Sequence, residues 1–149
     1  MALRPLPRRA WLGGVVGAIA STLFSPAAEA KGKARVEWKS VTVPDVDGQD
    51  RIARMVKSLL GKATKRADFG NAPRVVCMAR MTELAWESRG DVVRLSCTLV
   101  GRIEGGASAR SRISFGGRPS ERIQLEKQVL TMVTQGVVTR LAQIARTHA

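Results

Sequence analysis

Apolar residues recur along this chain with two periods, and the switches between them mark out its elements. Residues 34–43 (Ala-Arg-Val-Glu-Trp-Lys-Ser-Val-Thr-Val) begin by alternating apolar and polar side chains and are rich in β-formers, which predicts a strand. Pro44 stops it. Asp45, Asp47 and Asp50 follow, acids at the positive end of a coming helix, where such charges stabilise by a few tenths to about 1 kcal/mol. From Arg51 onward the apolar positions are Ile52, Met55, Val56, Leu59, Leu60 and Ala63. Their offsets of 0, 3, 4, 7, 8 and 11 form one stripe of a 3.6-residue helix. That helix is expected to end near Lys65, with Asp68-Phe69-Gly70-Asn71 as the turn.

A period of two then returns. Residues 74–86 and 92–103 read as strands on either side of Glu87-Ser88-Arg89-Gly90-Asp91, which has the composition of a hairpin loop. In the second of these strands Val93, Leu95, Cys97 and Leu99 point one way, and Arg94, Ser96 and Thr98 the other. Gly105-Gly106 makes the next turn. Residues 107–115 alternate again, with Ala109, Ser111, Ile113 and Phe115 opposed to Ser108, Arg110, Arg112 and Ser114. Gly116-Gly117-Arg118-Pro119 leads to Ser120, read as the N-cap of a second helix with Glu121 just inside. This helix should run to about Arg146, with a stripe that includes Ile123, Leu130, Val133, Val137, Leu141 and Ile144.

The order is therefore β-α-β-β-β-α. Three successive strands joined by short turns must be antiparallel neighbours. Two amphipathic helices must bury their stripes, and the sheet is the one large surface available. The expected fold is α+β, a two-layer sandwich with both helices on one face of a mainly antiparallel four-stranded sheet. The uncovered face would then carry Arg80, Arg94, Arg102, Arg110 and Arg112.

The residues before the first strand have a different character. Arg4, Arg8 and Arg9 give a positive start with no acid, and an apolar run extends from Trp11 to Phe24. Pro26 and the small residues Ala27, Ala28 and Ala30 follow. This is the three-part layout of an export signal, with Ala28 and Ala30 at the two positions a signal peptidase needs to be small. Residues 1–30 are expected to be removed, leaving residues 31–149 as a single domain. The apolar run is too short to span a bilayer core of about 30 Å, so no membrane-spanning segment is expected in the mature chain. Arg8-Arg9-Ala10-Trp11-Leu12 resembles the twin-arginine export motif through Arg8, Arg9, Trp11 and Leu12. Pro7 and Gly13 depart from it, and the general secretory route is the alternative. Export by either route implies the export machinery as a partner and a periplasmic or secreted location in a bacterium.

Composition narrows the chemistry. The chain has 149 residues, 44% hydrophobic and 25% charged, a globular balance with room for one ordinary core. Lys and Arg number 25 against 12 Asp and Glu, a net charge of +13 that cleavage after Ala30 would lower to +11 by removing three arginines and Glu29. Aromatics make up 4%, Tyr is absent, and His148 is the single histidine. A histidine-based triad, a multi-histidine metal site and an aromatic stacking platform all lack parts. Glu83, Glu87 and Asp91 read as isolated surface acids near the hairpin loop. Asp45-Val46-Asp47-Gly48 lacks the later bidentate acid of a calcium loop. The expectation is no enzyme activity, no cofactor and no metal.

Cys77 and Cys97 would lie in an oxidising compartment, which favours a disulfide. If Glu87 faces Asp91, however, Cys77 falls four residues, or about 13 Å, from the residue that faces Cys97. A register slip would bring the two together, so a bond and two buried thiols both remain open.

The five arginines at solvent-side strand positions can hold a polyanion through bidentate contacts, or simply keep an open sheet soluble. Arg51, Arg54, Lys57, Lys62 and Lys65 on the first helix read as a solvated face. Export makes nucleic acid an unsuitable specific partner, although so basic a chain binds it without specificity. The α-β-β-β-α order is also that of double-stranded-RNA-binding domains, but Gly116-Gly117-Arg118-Pro119 does not match their glycine-and-lysine loop.

Val41-Thr42-Val43-Pro44-Asp45 leading into a helix, and Leu95-Ser96-Cys97-Thr98 in a middle strand, are similar to segments of small exported envelope domains. The N-terminal α/β domain of the Tol-Pal propeller protein and small myxobacterial export proteins are examples. The resemblance implies a binding or assembly module with no catalytic residues to carry over. The expected function is an exported, non-enzymatic envelope module that contacts an envelope protein or anionic envelope component through its arginine-bearing sheet face. The alternative is a structural or oligomerising protein that uses a free sheet edge and the long C-terminal helix.

Overall fold

The computed structural model describes residues 34–147. The export motif at Arg8, Arg9, Trp11 and Leu12, the cleavage positions Ala28 and Ala30, and His148 lie outside the described residues. The chain forms β1 (Arg35–Thr42), α1 (Gln49–Arg66), β2 (Arg74–Arg89), β3 (Val92–Ile103), β4 (Ser108–Gly117), a 3₁₀ turn (Pro119–Glu121) and α2 (Arg122–Thr147). The fold is α+β, with the β-α-β-β-β-α order in one open, mixed sheet. The strands lie in the order β1-β2-β3-β4; β1 runs parallel to β2, and the other neighbours are antiparallel.

Both helices cover the same face. Trp38 of β1 shares a face with Cys77 of β2, and its indole Nε1 donates to Thr64 Oγ1 of α1 at 2.9 Å. On β3, Gly101 pairs with Ala79 and approaches α2 so closely that an added Cβ would lie 2.5 Å from Val137 Cγ1. Ile52, Val56 and Leu60 of α1 meet Val129, Val133, Val137 and Leu141 of α2 over Leu95, Cys97 and Leu99. The core is thus the two helical stripes and the odd-numbered residues of β3. Arg51 of α1 makes a forked ion pair with Glu126 of α2, at 2.6 and 3.2 Å, which ties the helices together at their outer side.

The α1 stripe is where periodicity places it. Its capping differs from the usual side-chain cap. Gly48 sits at the N-cap with φ 75°, and Gln49 Nε2 donates to the Val43 carbonyl at 3.0 Å. α2 departs from expectation at its start. Ser120 is not its N-cap but lies inside the 3₁₀ turn, closed by Glu121 N–H to the Arg118 carbonyl at 2.9 Å. Ile123 is not part of the buried stripe, being 86% exposed: the first turn of α2 lays Arg122 over the Trp86 ring, 4.3 Å from its centroid, and buries Leu125, which leaves Ile123 facing away. Leu125, Val129, Thr134 and Val138 are buried in its place.

The β2–β3 connection is tighter than the five residues expected. Arg89 pairs with Val92, so Gly90 and Asp91 alone make the turn. Gly90 takes φ 59° at the first central position, where a two-residue hairpin turn favours glycine. Two bulges adjust the sheet. Lys39 is the extra residue of β1, between Trp38 and Ser40. Thr82 is the extra residue of β2, between Met81 and Glu83. Each reverses which residues point inward. Val36 and Trp38 face the helices before the first bulge and Val41 after it; Ala79 and Met81 do so before the second, and Leu84 and Trp86 after it.

Candidate functional site

All five arginines singled out from the sequence lie on the uncovered face, and all five are exposed. The register resolves them further. Arg80 and Arg110 both pair with Val100, one from each side of β3. With neighbouring strands about 4.8 Å apart, these two arginines stand about 10 Å apart across the strand between them. Arg102 lies two residues along β3 from Val100, about 7 Å away, on the same face. Arg80, Arg102 and Arg110 therefore surround Val100. Among the described residues, no carboxylate lies within salt-bridge distance of any of the three.

Arg112 and Arg94 differ from this group. Arg112 Nε donates to Glu83 Oε1 at 3.1 Å, and Thr98 Oγ1 donates to the same oxygen at 3.0 Å. Glu83 is thus not the isolated surface acid read from the sequence. It is a partner to Arg112 that roofs Thr98, which is only 1% exposed although it sits on the uncovered face. The hydrogen bond from Arg112, then that from Thr98, lowers the Glu83 carboxyl below its ordinary value. Arg94 stands apart at the turn end of β3, paired with Glu87 on one side and Gly116 on the other.

Three further arginines share this face and were not singled out from sequence. Arg35 and Arg74 pair across β1 and β2, with Glu37 between them, and Arg89 closes β2. Arg74 Nη2 donates to Glu37 Oε2 at 2.7 Å, which lowers the Glu37 carboxyl. Alternation alone would have found Arg74, two pairs of residues before Met78 and on the same side. Arg89 is placed there only by the Thr82 bulge, which leaves no mark in composition.

Cys77 and Cys97 are free, buried thiols. Cys77 pairs with Ile103 and Cys97 with Leu84, six positions apart along β3, or about 20 Å. That distance exceeds the roughly 7 Å a disulfide can bridge, and it decides the question left open by the sequence. Burial pushes the Cys77 thiol up to about 11. Burial, with the nearby Glu83 charge as a lesser cause, pushes Cys97 up to about 12. Neither is a nucleophile at neutral pH.

On α1, Arg54, Lys57, Lys62 and Lys65 are exposed, and Arg51 is engaged with Glu126. An apolar hollow of about 580 Å³ opens where β2 begins and β3 ends, lined by Val75, Val76, Ile103, Ala107 and Ile144. Its rim carries Arg74, engaged with Glu37, and Glu104, engaged with Lys39. Among the described residues, no group of three or more His, Cys, Asp or Glu could hold a metal ion. No helix among them is long and apolar enough to cross a membrane. Guanidinium groups on an open sheet offer forked, charge-assisted donors to an anionic partner.

No protein-family model matches the chain, and no curated protein matches it. Among solved structures, the chain is similar to a single-substitution variant of the PelC dodecamer of Paraburkholderia phytofirmans, at 12% identity and TM-score 0.45, over 70% of this chain and 89% of that one. A protein of Caulobacter crescentus assigned as a lipoprotein shares 12% identity at TM-score 0.40, over 72% of this chain and 89% of that one. The N-terminal domain of Protein Y from Thermus thermophilus shares 13% identity at TM-score 0.34, over 76% and 99%.

Proposed function

We propose that this protein is an exported, non-enzymatic binding or assembly module of the bacterial cell envelope, and that it holds an anionic partner through the uncovered face of its sheet. The observation that carries this reading is the grouping of Arg80, Arg102 and Arg110 around Val100, with no carboxylate in salt-bridge distance among the described residues. A face meant only to keep the sheet soluble is well served by mixed charges, as Arg35, Glu37 and Arg74 illustrate at its other end. A cluster of one sign at close range is costly through self-repulsion and is offset when an anion arrives. The export signal read in residues 1–30 supports the location, and the resemblance to small exported envelope domains supports the class.

The test is binding of the purified protein to its native envelope fraction across a range of ionic strength, with crosslinking to identify the partner. Association should weaken steeply as salt rises and be lost in the triple variant Arg80→Gln, Arg102→Gln, Arg110→Gln. Binding that persists in high salt and in the triple variant would favour the self-assembling alternative instead.

A further inference from the structure

The two edges of the sheet are built differently. β1 carries a bulge at Lys39, a lysine paired with Glu104, and a bridge from Arg35 and Arg74 to Glu37, devices that discourage a further strand. β4 carries ten residues with no bulge, no lysine and no proline. In an antiparallel ladder, alternate residues turn their N–H and C=O away from the neighbouring strand. Arg140 of α2 donates to the Arg110 carbonyl from outside the sheet, which identifies Arg110, Arg112, Ser114 and Gly116 as the outward set. Arg110 is thus partly engaged, and among the described residues the outward backbone of Arg112, Ser114 and Gly116 has no partner and forms an open ladder.

The side chains along this edge are sorted by face. On the uncovered side stand Arg110 and Arg112, the latter with its Nε donating to Glu83 and its outer nitrogens exposed. On the helix side, Ile113 is half-buried and Phe115 is 37% exposed. Met132, also 37% exposed, lies one helical turn before Gly136, which abuts Ser111 of the same strand. An incoming strand would therefore meet cations on one face and apolar surface on the other.

Resting on the anion-binding reading above, we propose that β4 accepts an extended segment of a partner protein in which acidic and apolar residues alternate. Its main chain would continue the ladder at Arg112, Ser114 and Gly116. Its carboxylates would lie beside Arg110 and the outer nitrogens of Arg112, whose Nε stays with Glu83, and its apolar residues beside Ile113, Phe115 and Met132. A second copy of this chain is a poor occupant. Paired antiparallel about Ser114, two β4 strands would set Arg112 opposite Gly116 and would bring no carboxylate to Arg110 or Arg112, since β4 contains no acid.

The probe is a capped synthetic peptide of alternating glutamate and valine. A block-sequence peptide of the same composition and a lysine–valine peptide serve as controls. The alternating acidic peptide should bind, the controls should not, and the amides of Arg112, Ser114 and Gly116 should become protected from hydrogen exchange. Ser114→Pro removes an outward N–H that no strand of the sheet uses, and should weaken binding about tenfold or more, while Lys57→Gln on α1 leaves it unchanged. If Ser114→Pro does not fold, amide protection in the unaltered protein decides alone. Peptide binding without protection of those amides would overturn the edge proposal and leave the arginine-face reading standing. Equal binding by the block peptide, or binding of phosphatidylglycerol vesicles in place of the alternating peptide, would overturn it too.

Discussion

The seat of α2 on the sheet can be tested at a single glycine. Gly101 is fully covered by α2, and a Cβ there would lie 2.5 Å from Val137 Cγ1 and 2.8 Å from Leu141 Cδ1. Carbon atoms prefer about 3.5 to 4.0 Å, so the new methyl intrudes by about 1 Å on two side chains that have no exposed surface. Overpacking of this kind costs about 1–3 kcal/mol, against which alanine regains roughly 0.5–1 kcal/mol over glycine in a strand. Gly101→Ala should therefore destabilise by about 1–2 kcal/mol. Val137→Ala alone should cost about 2 kcal/mol through lost burial. In the double variant the alanine methyl occupies space that Val137 vacated, so the combined loss should fall short of the sum by about 1 kcal/mol. Gly61, in the interior of α1, has nothing within 4 Å of its would-be Cβ, and Gly61→Ala should stabilise by about 0.5–1 kcal/mol. The assay is urea unfolding followed by circular dichroism, read as midpoint shifts at constant slope. Additive losses in the double variant, or a Gly101→Ala protein as stable as the original, would refute direct seating of the helix on the backbone of β3.

Two titrations offer further checks. Both thiols are raised by burial, to about 11 for Cys77 and about 12 for Cys97. The folded state therefore favours the neutral thiol; this contribution is fully present below the ordinary value of 9.0 and is lost as pH rises through 11 to 12. Native protein should react negligibly with a thiol reagent at pH 8 while urea-unfolded protein titrates two groups, and the urea midpoint should decline above about pH 9. Rapid native labelling would contradict the burial. For Glu83, the carboxyl is held below 4.5 by Arg112 and Thr98, so its contribution exists above that value and disappears as pH falls through the lowered one. A carbon-detected titration should find Glu83 below an ordinary glutamate, and Arg112→Gln should move it upward; an unmoved Glu83 would mean that the ion pair is absent in solution.

Much of this architecture can be read from residue order, and the exceptions share a cause. The α1 stripe from Ile52 to Ala63 is visible because 3.6-residue spacing is local, and Ile52, Val56 and Leu60 are the residues it buries. The alternation of β3 is equally local, and with it the placement of Arg94 and Arg102. What escaped is set by tertiary geometry. Ile123 continues the apolar pattern of α2, yet whether it is covered depends on which side of the first turn meets the sheet, and that side carries Arg122 and Leu125. Ser120 has the chemistry of a cap, but Pro119 two residues after Gly117 starts a tighter turn first. The cysteine question turned on a register that two residues of turn length decide. Of the arginine-bearing face, five members were legible, Arg35, Arg74 and Arg89 were missed, and the grouping was not legible. That Arg80, Arg102 and Arg110 form a cluster while Arg112 is occupied depends on which residues face one another across three strands.

The extra residue at Thr82 has an electrostatic outcome. Were β2 to run without it, the parity of Ala79 and Met81 would continue, and Glu83 and Glu87 would point beneath the helices while Leu84 and Trp86 faced water. One added backbone unit rotates the stretch from Glu83 to Arg89 by half a pleat. It delivers two carboxylates to the hairpin end of the face, while Glu37 answers Arg35 and Arg74 at the opposite end. Positive potential is thereby confined to a band across β2, β3 and β4, where Arg80, Arg102 and Arg110 stand, and an approaching anion is drawn to the centre of the sheet instead of to either end.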